Sequence, residues 1–75
     1  MKAPKNYRIL RLYMWLDEGR CVNIFQVSNE FQVDVRTVQR DIADLRAFLA
    51  EDMMESGNSR KIIYDRVRTG YCIIQ

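Results

Sequence analysis

The chain contains no histidine. That removes the commonest general base and the commonest zinc ligand together. Two cysteines, Cys21 and Cys72, are too few for a four-ligand metal site and allow one disulfide at most. No apolar run approaches the ~20 residues that span a bilayer. The first apolar stretch is interrupted by Arg8 and Arg11, so no secretory leader is expected. The expectation is therefore a cytoplasmic protein with two buried, reduced thiols and no contact with a membrane. There is no glycine loop to cradle a phosphate and no paired thiol and base, so no enzyme, catalytic residue, cofactor or metal is expected. Repeats, low-complexity segments and linkers are absent too. Charge of one sign is scarce: the net value is +2, so any electrostatic signal must lie in its distribution. The 75 residues make one domain, 1–75. A chain this short buries only about 60% of its unfolded surface, and a hydrophobic content of 48% suffices for that.

What is present is organised around Asp34-Val35-Arg36-Thr37-Val38-Gln39-Arg40-Asp41-Ile42-Ala43-Asp44-Leu45-Arg46. At 100° per residue, Val35, Val38, Ile42, Leu45, Leu49 and Met53 fall on one stripe, as in a core-facing helix. Arg36, Thr37, Gln39 and Arg40 fall opposite, within the first two turns. Asp34 is a suitable N-cap, its carboxylate accepting from the open N–H groups of the first turn. A helix that presents donors near its N-terminus is shaped to enter a DNA major groove. A merely solvated polar face has the same pattern. Asp41, about 100° from Arg40, reads as structural, orienting an arginine or capping a neighbour.

Ahead of this segment, Pro4 opens a helix over about Lys5 to Asp17. Ile9, Leu12, Tyr13 and Leu16 form its core stripe. Tyr7, Leu10 and Met14 form a second stripe, with Trp15 apart from both. A helix apolar on two sides is either central or shared with a partner. Asp17-Glu18-Gly19-Arg20 makes a turn, and Cys21-Val22 a stub strand. Asn23 caps a short helix from Ile24 to Phe31, with Ile24, Val27 and Phe31 inward. Gln32-Val33 then leads directly to Asp34, which is helix-turn-helix spacing. The third helix runs to about Glu55 and ends in Ser56-Gly57-Asn58-Ser59. Arg60–Asp65 and Tyr71–Gln75 are rich in β-branched and aromatic residues and read as strands. Arg66–Gly70 joins them, with Gly70 available for a left-handed turn position. The order is that of a mainly α fold with a small β-hairpin: a winged helix-turn-helix of three helices plus a two- or three-stranded wing.

Arg36-Thr37-Val38-Gln39-Arg40-Asp41-Ile42 with Leu45 resembles the recognition-helix signature of DeoR-type winged-helix regulators. It is closer still to the N-terminal domain of bacterial WYL-domain transcriptional regulators. Ile63-Tyr64-Asp65-Arg66 followed by Gly70-Tyr71 resembles the wing of the same group, and the likeness runs from about Tyr7 to Ile74. Three positions depart from the pattern. Gln32 stands where glycine is frequent, so a positive φ there carries a cost. Ser28 stands where a small alanine is usual. Asp34 replaces serine and brings a negative charge toward phosphates.

The resemblance implies sequence-specific binding of double-stranded DNA by a transcriptional regulator or its DNA-binding domain. The recognition helix, about 35–50, would lie in the major groove and the wing, 60–72, on the backbone or minor groove. Arg36, Thr37 and Arg40 are the implied contacts. Gln39 can read adenine or bond a phosphate. On the wing, Arg60, Lys61, Arg66 and Arg68 against Asp65 leave a net +3 over residues 60–68, more than the whole chain's excess. The bland reading of that charge is protection of an edge hairpin. Asn23, at a helix N-terminus, and Arg8 are further phosphate candidates. Homodimerisation or docking of a following effector domain is expected through Tyr7, Leu10, Met14 and Trp15. Regulators of this group are longer, so the chain reads as a fragment or a stand-alone module. The alternative is a winged-helix protein-interaction or dimerisation module without DNA binding. If the stub strand joins the wing sheet, Cys21 and Cys72 become neighbours, and a redox-sensing disulfide competes with the reduced pair.

Overall fold

The computed structural model describes residues 2–57 and 59–74. Met1 lies outside the described residues, as do Asn58 and Gln75, assigned above to a turn and the last strand. Three helices and one hairpin follow in order: α1 (Lys5–Asp17), α2 (Ile24–Phe31), α3 (Val35–Ser56), β1 (Lys61–Asp65) and β2 (Gly70–Ile74). β1 and β2 pair antiparallel, with Ile62 opposite Ile73 and Tyr64 opposite Tyr71. The stub adds a bridge on the other side of β2, where Val22 and Tyr71 exchange two backbone bonds of 2.8 Å. This is a winged helix-turn-helix, mainly α with a small β wing.

The core is built where the stripes meet. Leu12 and Leu16 of α1, Val27 and Phe31 of α2, Val38, Ile42, Leu45 and Leu49 of α3, with Val22 and Ile62, form one buried cluster. Met53 continues the α3 stripe but is 39% exposed, because the helix runs past its neighbours before it ends. Trp15, set apart by the sequence pattern, stacks on Phe31 at 5.6 Å and carries the Arg20 guanidinium over its ring at 5.1 Å.

The helix ends follow local chemistry, with one correction. Asn23 Oδ1 accepts from Phe25 N and Gln26 N at 2.9 and 3.2 Å. Gly19 and Gly57 take positive φ after α1 and α3. Ser28, half-buried, donates its hydroxyl to the Phe25 carbonyl. Asp34 occupies the N-cap position of α3 but its carboxylate makes no cap bond. Its own carbonyl oxygen already accepts from Thr37 N and Val38 N, which leaves the side chain no third-residue donor to satisfy.

Two turn positions carry backbone strain. Gln32 sits at φ 55 and ψ 48 between α2 and α3, as its departure from glycine implies. In the wing the left-handed residue is Thr69, not Gly70. Gly70 serves a different purpose: a Cβ there would stand 2.7 Å from the Val22 carbonyl oxygen. It lets the stub strand lie directly against β2.

Cys21 and Cys72 are joined in a disulfide. The expectation of two reduced thiols is overturned, and the physical reason is the bridge itself. Antiparallel pairing of Val22 with Tyr71 puts the preceding and following residues opposite one another.

Candidate nucleic-acid interface

The core side of α3 turns Val38, Asp41, Ile42 and Leu45 inward. Arg36, Gln39 and Arg40 are thereby exposed, and Thr37 is half-buried at the edge. Among the described residues none of the four has an ion-pair or side-chain hydrogen-bond partner. Asp41 anchors the adjoining face of the helix. It is buried, and it accepts from Arg8 Nε at 2.7 Å and Nη2 at 3.4 Å. Arg8 also donates to the Ala3 carbonyl at 2.7 Å. Arg8 is thus a strut between α1 and α3 and not a phosphate contact.

The wing is fastened alongside α3. β1 begins beside Ala50 and Met53. It then runs back along the helix, where Arg46 donates to the Ile62 carbonyl at 3.3 Å and lies over the Tyr71 ring at 5.4 Å. The turn 66–69 therefore points toward the same end of α3 as Arg36 and Arg40. Asp65 shapes that turn, its Oδ1 accepting from Val67 N and Arg68 N at 2.9 and 3.2 Å. Arg66 is exposed and unpartnered among the described residues. Arg68 is exposed, 4.0 Å from Asp65 and 3.4 Å from Cys21 Sγ. Arg46 and Asp65 escaped the sequence reading. The signal for Asp65 was an aspartate directly before a turn, where its side chain bonds backbone two residues on.

Three expected contacts do not belong to this face. Arg60 packs inside the molecule, its side chain 11% exposed. It donates to the Tyr13 hydroxyl at 2.7 Å and to Asp17 at 2.5 Å, and stacks on the Tyr13 ring. Burial opposes its charge, but the Tyr13 hydroxyl and the Asp17 carboxylate outweigh that and hold its pKa above the ordinary arginine value. Lys61 is exposed but lies at the far end of the hairpin, beside the C-terminal half of α3. Asn23 is committed at both ends: Oδ1 caps α2 and Nδ2 donates to the Thr69 carbonyl at 3.0 Å. It ties the wing turn to α2.

No family model, no curated sequence and no solved structure matches this chain. The site rests on its own geometry.

The four α1 side chains expected to dock a partner are not equally exposed. Tyr7, Leu10 and Met14 are exposed, while Trp15 is spent on Phe31. Tyr7 is itself flanked by Phe31 and Arg11. A second apolar surface joins Leu10, 64% exposed, to Phe48 of α3, 54% exposed. A groove floored by Ile9, Tyr13 and Leu45 lies between them, and the Lys5–Asp44 pair at 3.1 Å stands on its rim. Phe48 was missed because it falls off the core stripe of α3. No helix among the described residues is long and apolar enough to cross a membrane, and no acidic or thiol cluster suits a metal ion.

Proposed function

We propose that this chain binds double-stranded DNA sequence-specifically, as a transcriptional regulator or its DNA-binding domain of the DeoR or WYL type. The observation that carries the reading is the set of unpartnered donors, Arg36, Gln39 and Arg40, at one end of α3 with the wing turn at the same end. Exposed guanidinium groups four residues apart repel by a few tenths of a kcal/mol. A guanine edge or phosphate relieves that repulsion. An arginine gripping guanine O6 and N7 discriminates between bases by about 1–3 kcal/mol. Thr37 at the edge, with Arg66 and Arg68 on the wing, supplies backbone contacts that fix register. Such a protein works in the cytoplasm, on the nucleoid.

A second copy is proposed as the partner at the α1–α3 groove. Its rim carries one cation and one anion, Lys5 and Asp44, around an apolar floor. A two-fold axis through such a patch sets each charge against its opposite on the other copy. Two copies double the half-sites read. The exposed Leu10 and Phe48 also favour the second reading, a protein-interaction module of the same fold without DNA binding.

Selection of bound duplexes from a random pool separates these. Wild type should enrich a motif, and Arg40→Ala should lose preference at one position of it. Failure of wild type to enrich any motif, with the protein folded, would leave the interaction module.

A further inference from the structure

We infer that Cys21 and Cys72 form a thiol–disulfide exchange site at the root of the wing, whose co-substrate is a small thiol or its disulfide, of the glutathione class. Sheet geometry aligns the pair. Val22 and Tyr71 exchange both backbone bonds at 2.8 Å. The positions next to them, Cys21 and Cys72, are thus a non-hydrogen-bonded pair, where facing strands come closest. Their Cα atoms are 4.5 Å apart. The backbone holds the two sulfurs opposite one another whether the bond is closed or open.

Access to the sulfurs is unequal. Cys72 is buried and Cys21 is half-exposed. An incoming thiolate reaches Cys21, and Arg68 Nη1, 3.4 Å from the Cys21 sulfur, supplies the cation that draws it in. Attack forms a bond between the incoming sulfur and Cys21 Sγ and breaks the Cys21–Cys72 bond. The electron pair leaves on Cys72, which takes a proton and can then donate to the Gly70 carbonyl 3.9 Å away. A second small thiolate attacks the outer sulfur of the mixed disulfide and releases Cys21. Two small thiols are oxidised to one disulfide, and the protein disulfide is reduced to two thiols. The reverse sequence closes the clasp, with Arg68 favouring the Cys21 thiolate as nucleophile. In the cytoplasm such a bond is transient and responsive, not permanent.

The site is placed to act on the wing. Arg68 belongs to the wing turn, so the reduced Cys21 sulfur competes for a cation that, on the DNA-binding reading above, meets phosphate. Opening the bond also removes the covalent tie between the wing and the stub strand that leads into α2. Both effects weaken duplex binding by the reduced form.

The test equilibrates wild-type protein across ratios of glutathione to glutathione disulfide, alkylates free thiols and counts them by intact mass. Reversible passage between zero and two thiols is expected. Reduction of Arg68→Met by glutathione should be slower by about threefold to tenfold, with Arg68→Lys recovering most of the rate. These variants retain both cysteines, so folding does not depend on losing the clasp. Absence of thiols at every ratio, or equal rates for wild type and Arg68→Met, overturns the exchange site. Duplex binding of the two forms at fixed salt is compared separately. The reduced form should bind about threefold to tenfold more weakly, and equal binding overturns the link to the wing. If neither form binds any duplex, the DNA-binding reading falls while the thiol counts still decide the exchange site.

Discussion

Replacing Arg8 by methionine tests the joint that orients α3. The substitution keeps the aliphatic stem against the core and removes the guanidinium. Asp41, 1% exposed, then loses both its donors, at 2.7 and 3.4 Å, and the Ala3 carbonyl loses a third bond of 2.7 Å. Removing one member of a buried ion pair costs about 3–5 kcal/mol, because the other is left charged and unsolvated. A domain of 75 residues has in total roughly 4–11 kcal/mol. The loss is therefore from about a quarter of the whole to all of it. At about 4–8 °C per kcal/mol for a domain this size, the melting midpoint should drop by roughly 12–40 °C. Urea unfolding followed by far-ultraviolet circular dichroism measures the loss, with a constant slope showing that only stability has moved. The double variant Arg8→Met with Asp41→Leu should recover to within about 1 kcal/mol of wild type, since an apolar pair of similar volume replaces a buried ion pair at little cost. A loss below about 1 kcal/mol for Arg8→Met alone would show that water reaches the pair. The claim that this joint sets the rotation of α3, and so the aim of Arg40, would then be wrong.

Other expectations follow from the same geometry. Replacing Arg66 and Arg68 together by alanine should reduce the slope of log affinity against log salt by about two, measured by fluorescence anisotropy with a fixed duplex; an unchanged slope would take the wing off the phosphates. Thr69→Gly should raise stability by about 1 kcal/mol, because a β-branched residue at φ 55 is strained and glycine is not; a destabilised variant in urea would show that the threonine side chain compensates. Leu10→Asp should convert a dimer to a folded monomer on gel filtration, and an unchanged oligomer with native circular dichroism would remove α1 from the contact.

How much of this was legible in the residues differs by element. Each helix could be read because its apolar spacing is local and its ends carry local punctuation: Asn23 before α2, Gly19 after α1, Gly57 after α3. The inward set Val38, Ile42, Leu45 and Leu49 followed from spacing alone. The fate of individual charges did not. Arg8 finds Asp41 33 residues away and Arg60 finds Asp17 43 away. Nothing in either local pattern separates those arginines from Arg36 and Arg40, which meet no partner among the described residues. Gly70 was credited with a turn it does not make, because its real constraint is a neighbouring strand 48 positions earlier. The cysteines failed for a similar reason: their number was compatible with reduced thiols, and only the register of the stub strand against β2 decides that they meet.

α3 has 22 residues, about 33 Å at 1.5 Å per residue, in a molecule whose longest dimension is 37 Å. The helix is nearly as long as the molecule itself. Its first turns hold the arginines, its middle is bolted to the wing through Arg46, and its last turns carry Met54 into solvent. Between the Gly57 end and the arginines, Ile42, Leu45 and Leu49 are locked into the core. A body docked at the far end could re-aim the guanidinium groups only by shifting that packed core with them.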